Sequence, residues 1–430
     1  MFGLSARCLL AVGLLSSVLL QAGNAAEPID RFGVQYDSAD WPLWRGVQQD
    51  GHAAADATPP TQWSETDNVR WRTPVPGRGH GSPIVAGNRV YLASSDHEAQ
   101  TQSVYAFDKS TGELVWEKEI HRGGMDKALQ KLNQRATMAS SALAWDGERL
   151  FITFIHDEAA WVTALSTEGD TIWQKRITDY TIHQGYGASP TIYHDLVIVS
   201  ADNKAGGVIV GLDRRSGKVV WEHTRPKKPN YPSPILLQAA GKDQLIMTGA
   251  DLVTSLNPST GKVLWETPGA TTECVTSTVS NGKVLLTSGG YPESHMSAVS
   301  VDGSKEVVWE NRNRVYVPSM LMVDDYVYAV LDAGVAICID AATGKEQWKE
   351  RLGGTFNASP ILVGNTIYIS DEDGTTYLFK AQPDSFELVG KNQLGESVFA
   401  SPAFSGDQFF TRVAHRDGDK RQEYLYCIGN

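Results

Sequence analysis

Ala106-Phe107-Asp108-Lys109-Ser110-Thr111-Gly112-Glu113-Leu114-Val115-Trp116 is the stretch on which the fold turns. It reads as the end of one β-strand, a tight turn and the start of the next. An Asp followed by x-x-Thr-Gly closes a turn because its carboxylate accepts from backbone two residues on, while the glycine takes a positive φ without a clash. The tryptophan four residues later falls on the next strand, and its ring is large enough to bury area against a neighbouring unit. The device recurs at Asp213 to Gly217 with Trp221, at Asn257 to Gly261 with Trp265 and at Asp340 to Gly344 with Trp348. Weaker copies run through Gly169 and Trp173 and through Gly303 and Trp309.

Upstream of each copy stand short β-branched and aromatic runs such as VYLAS, LVIVSA, KVLLTS, YVYAVL and TIYIS, bounded by Gly, Asn and Asp turns. Each unit opens on a serine, often Ser-Pro, and proline is tolerated where an innermost strand begins. Inner strands start at Ser82, Ser141, Ser189, Ser233, Ser277, Ser319, Ser359 and Ser401. Outer strands are marked by Trp71, Trp116, Trp173, Trp221, Trp265, Trp309 and Trp348, with Phe386 to Leu388 as the eighth. Residues 71–430 shared among eight units give about 45 residues each, the size of a four-stranded propeller blade. The expectation is an all-β fold, an eight-bladed β-propeller of four-stranded antiparallel blades over 69–430. A strand around Val69 to Arg72 closes the ring on the last blade, and 27–68 is a lead-in segment.

The 430 residues carry 38 Lys and Arg against 50 Asp and Glu, a net charge of −12, which argues against binding nucleic acid or anionic lipid. Residues 1–26 have the form of a secretory signal peptide: Arg7, an apolar run from Cys8 to Leu20, then small residues to Ala26. The run is too short to span a bilayer. The mature chain is therefore expected to be exported, periplasmic or extracellular, soluble, monomeric and at most peripheral to a membrane. Cys274, Cys338 and Cys427 lack metal or disulfide spacing and read as small buried hydrophobes.

The motif A-x-D-x-x-T-G-x-x-x-W at Ala106 to Trp116 resembles the tryptophan-docking repeat of pyrroloquinoline-quinone (PQQ) enzyme-like propellers. That resemblance covers nearly the whole mature chain and implies the propeller fold. The same repeat builds BamB-type propellers of outer-membrane assembly and quinoprotein alcohol dehydrogenases, which bind PQQ and calcium. The lead-in Trp41-Pro42-Leu43-Trp44-Arg45-Gly46 with Asp50-Gly51 is similar to that of secreted PQQ-like repeat proteins. The adjacent cysteine pair of the dehydrogenases has no counterpart here, nor does the lipid-acceptor cysteine of the BamB type. The expected function is that of an exported, non-catalytic binding or scaffolding propeller of the cell envelope, BamB-like and without a cofactor. The alternative is a PQQ-dependent dehydrogenase using PQQ with calcium.

Loops entering the inner strands converge at one mouth of a propeller, so ligand-binding residues are expected there. Those loops carry His80, His183 with Tyr186, Tyr231, Glu273, Tyr316, Phe356 with Asn357, and Phe399. A protein or small ligand at this mouth is the expected partner. The histidines fall on different repeats with no HxH or HExxH spacing, so no metal site is expected. Asp371-Glu372-Asp373 reads as a solvated turn, and Arg225-Pro226-Lys227-Lys228 as an exposed connector. The insertion from His121 to Arg135 carries helical spacing over Met125 to Leu132, as a lid or docking element would.

Overall fold

The computed structural model describes residues 28–418 and 420–430. The expected signal segment lies outside them. Eight four-stranded antiparallel sheets form an eight-bladed β-propeller, accompanied by a two-stranded hairpin, Ile29–Arg31 with Val34–Tyr36. The first blade runs inside to outside through Ile84–Ala86, Arg89–Asp96, Thr101–Asp108 and Leu114–Arg122, and the next six repeat that order. In the eighth blade Ala403–Ser405, Gln408–Asp417 and Lys420–Gly429 are joined by Val69–Val75 as outer strand, which pairs antiparallel with Lys420–Gly429.

Each Asp-x-x-Thr-Gly turn serves its own blade and its neighbour. Asp108 Oδ1 accepts from the amides of Ser110 and Thr111, which fixes the turn. The tryptophan of the preceding blade lies over its glycine: a Cβ on Gly112 would come within 2.5 Å of the Trp71 ring, and φ is +74°. Only glycine satisfies both conditions. Six of the seven outer-strand tryptophans also donate Nε1–H to a carbonyl in the following blade, as Trp116 does to Thr167 and Trp221 to Pro258. Trp265 instead donates to Gln244 Oε1 within its own blade, 2.8 Å away.

The opening serines form a belt around the axis. The amide of Ser189 donates to Ser233 Oγ, Ser233 to Ser277, Ser277 to Ser319, Ser319 to Ser359, Ser359 to Ser401 and Ser401 to Ser82, all at 2.8–3.1 Å. The second blade corrects the sequence register by one residue. There Ala142, not Ser141, stands two residues before the inner strand and donates to Ser189 Oγ at 3.0 Å. Ser141 turns its hydroxyl to the Ala142 carbonyl.

Charged staples lie between blades. Arg412 is paired with Glu423 in the last blade and donates to Ala93 O at 2.7 Å and Ser94 Oγ at 2.9 Å in the first. Arg225, expected on an exposed connector, is 3% exposed and holds Asp202, Thr254 and the Gly249 carbonyl. A guanidinium with five donors can satisfy two blades at once, which explains its burial. Cys274, Cys338 and Cys427 are free and buried.

The lead-in crosses the ring at the far ends of the inner strands. Trp41 exchanges backbone hydrogen bonds with Val85 of blade 1, Pro42 accepts from Trp145 of blade 2, and Gln49 from Thr191 of blade 3. Arg45 donates to Met320 O beside blade 6, Ala53 to Leu362 O in blade 7, and Thr58 to Gly406 O in blade 8. Reaching opposite sides of the ring within a dozen residues, the segment spans the axis. Among the described residues, no helix is long and apolar enough to cross a membrane.

Candidate functional site

The mouth loops and the lead-in line a pit of about 470 Å³ on the propeller axis. Trp44 of the lead-in lines it together with serines of the belt. Of the residues expected from sequence, His80, Tyr186, Tyr231, Tyr316, Phe356, Asn357 and Phe399 line this pit. His183 and Glu273 stand behind it as a pair, His183 Nε2 lying 3.1 Å from Glu273 Oε1 and Lys204 Nζ 2.8 Å from His183 Nδ1. The Tyr231 hydroxyl is hydrogen-bonded to the His183 carbonyl, which ties the pair to the wall.

Several of these side chains are framework as much as surface. Tyr231 is 7% exposed, Phe356 is buried against Tyr377, and the Tyr186 hydroxyl donates to Ser200 O at 2.9 Å. Burial pushes the Tyr316 phenol up to about 12, with Glu273 adding to it, so it remains a donor at neutral pH. His80 stacks flat on Phe399, with centroids 4.2 Å apart. Burial holds its imidazole well below the ordinary histidine range, helped by Arg78, Arg412 and Arg421, so the stack is neutral.

Three wall residues went unrecognised in the sequence. Glu372 lies in the pit with a side chain only 14% exposed, receives Asn357 Nδ2 and pairs with Arg135 at 3.2 Å. Burial raises its carboxyl above the usual range, against the opposing pull of Arg135 and Asn357. The expected solvated turn is therefore half buried, and Asp371 is itself 3% exposed, accepting from the amides of Asp373 and Thr375. Asp332 accepts from the amides of Tyr316 and Val317, both at 3.0 Å, and so sets the loop that presents Tyr316. Trp44 carried a signal, two tryptophans and an arginine in a segment outside the repeat, but nothing in its spacing placed it on the axis.

The insertion contributes to the mouth. Its helix is one turn, Asp126–Leu129, shorter than the expected Met125 to Leu132, because glycines 123 and 124 precede it at positive φ and Asn133 leaves it for the Gln184 loop. Met125, Leu129 and Leu132 pack on the core of blades 2 and 3. Beyond them Asn133 bonds Gln184 through backbone and side chain, and Arg135 reaches Glu372 of blade 7. The 121–135 segment thus spans part of the rim.

The family described as "Outer membrane protein assembly factor BamB" matches residues 54–121, 100–350 and 297–385, well over half of the chain. The chain belongs to this BamB propeller family. Individual members are distant. The outer membrane protein assembly factor BamB of Moranella endobia (strain PCIT) is 22% identical over 346 residues, which cover 77% of this chain and 82% of the relative. A tetrathionate hydrolase of Acidithiobacillus ferrooxidans is 23% identical over 360 residues, covering 72% of this chain and 66% of the relative. Among solved structures, a europium-containing methanol dehydrogenase superposes with a TM-score of 0.67 at 12% identity, covering 92% and 98% of the two chains. BamB from Moraxella catarrhalis gives 0.59 at 13% identity, covering 83% and 99%. At such identities the structural likeness concerns the fold of this BamB-family chain.

Proposed function

We propose that this BamB-family protein is an exported, non-catalytic binding propeller of the cell envelope, monomeric, which takes a protein segment or small ligand into the axial pit. The observation that carries the reading is the pit itself: a loop-built cavity with tyrosines and phenylalanines on its wall and few charged groups at fixed places. Cavities of this size and mixed lining are where proteins bind ligands.

The second reading, a PQQ-dependent dehydrogenase, draws on the likeness to methanol dehydrogenase and on a polyvinylalcohol dehydrogenase from Pseudomonas, 26% identical over 223 residues. Calcium takes six to eight oxygen ligands. In the pit Glu372 is committed to Arg135 and Asn357, and Asp332 to two backbone amides. No group of three or more His, Cys, Asp or Glu with metal-binding geometry occurs among the described residues. Calcium there would have to take Glu372 from Arg135 and find most of its oxygens elsewhere, which favours the first reading.

Aromatic residues at the centre of a binding surface act as hot spots, each worth about 2 kcal/mol or more. Tyr316→Ala with Phe399→Ala should therefore abolish capture of whatever the parent retains from envelope extract, while the melting profile is kept. Equal capture by parent and variant refutes the pit as binding site. Dye-linked alcohol oxidation after adding PQQ and calcium would establish the second reading instead.

A further inference from the structure

We propose that the group recognised in the pit is a cation of the guanidinium or primary-ammonium type, and that Arg135 is its internal stand-in. The inference rests on the pit being a binding site and names the chemistry of its ligand.

Two features of the wall accept a guanidinium, and each is occupied by one of the chain's own arginines. Glu372 is 14% exposed, and its cationic partner, Arg135 Nη1 at 3.2 Å, comes from a side chain that is 63% exposed. An ion pair with one partner so open to solvent is weak and screened. The carboxylate, however, sits where losing a cation without replacement is costly. Arg135 is thus easily displaced, but only by a group of the same charge. On another part of the wall the Arg314 guanidinium lies 5.1 Å over the Tyr316 ring and has no carboxylate within 4 Å among the described residues. Asp332, bonded to the amides of Tyr316 and Val317, holds the loop that carries that ring.

An incoming cation would inherit Glu372 and Asn357, with Tyr231, Tyr316 and Phe399 on the same wall. The net charge of −12 favours its approach. An anion could draw on Arg314, but it would also meet Glu372 and Asp332, and drawing Arg135 to itself would strand Glu372.

The test is calorimetric titration of the full chain with N-acetylargininamide, agmatine and citrate. Saturable binding of a guanidinium is expected, severalfold tighter in Arg135→Ala, which removes the internal competitor, and at least tenfold weaker in Glu372→Gln. Arg135 is exposed, so its variant tests the idea even if Glu372→Gln fails to fold. N-acetylargininamide bound more tightly than agmatine assigns the group to an arginine side chain of a protein, and the reverse order to a free guanidino-amine. No guanidinium binding, or binding indifferent to both substitutions, overturns the proposal. Citrate bound in a manner lost in Tyr316→Ala, with cations inert, would overturn the ligand class alone and leave the pit as a binding site.

Discussion

Trp221→Ala tests the interblade packing that holds the pit in shape. Trp221 is 7% exposed, lies over Gly261 of the next blade and donates Nε1–H to Pro258 O at 3.0 Å. It packs with Leu245 and Leu256 of blade 4 as well as Leu196 and Ile209 of its own blade. Truncation leaves a cavity in that junction and an unpaired carbonyl, and large aromatic-to-alanine changes of this kind cost about 3–5 kcal/mol. With unfolding entropy of about 2.1 cal/mol/K per residue over about 360 residues, each kcal/mol moves Tm by roughly 1.3 °C. The expected loss is therefore about 4–7 °C by differential scanning calorimetry. Val220, its neighbour, is 56% exposed, so Val220→Ala should stay within about 0.5 kcal/mol of the parent. If the two variants melt together, the tryptophans do not join the blades and the packing argument fails.

Ser277→Ala should cost about 1–3 kcal/mol in urea unfolding, because it strands the buried amide of Ser233, whereas Ser141→Ala, outside the belt, should be near neutral. Arg412→Ala should cost about 3–5 kcal/mol by leaving Glu423 buried with Arg421 as its remaining cation, and ring-closing strands should then lose hydrogen-exchange protection first. Burial, with a smaller push from His156, lowers the His121 imidazole to about 3. The unfolded chain therefore binds the extra proton between pH 6.5 and about 3, and stability falls as pH drops through that window. His121→Phe should flatten the fall, and an unchanged pH profile of Tm would place its origin elsewhere.

The repeat made the fold legible because each blade restates one local rule, strand, Asx turn, glycine and tryptophan, and such rules are written in neighbouring residues. The register failed at Met138-Ala139-Ser140-Ser141-Ala142, where two serines and no proline precede the inner strand and counting serines slides by one. The mouth was half legible for the same reason. Loops entering inner strands are known once the strands are known, so His80, Tyr316 and Asn357 could be placed near the axis. Glu372 was not, since it follows the second strand of its blade and reaches the pit only because that blade faces Arg135 across the ring. Nor was Arg225, whose partners Asp202, Thr254 and Gly249 converge through the blade junction. Contacts made across the circle leave no spacing in the chain.

The central claim, that the pit is where this propeller binds, is tested most directly by site-specific photocrosslinking in the native envelope. Tyr316 on the pit wall and Val220 on the rim are each replaced by p-benzoylphenylalanine, and the adducts are identified by mass spectrometry. The account predicts a defined adduct at position 316, lost when Phe399→Ala is added, and none at 220. Adducts confined to position 220 would contradict it.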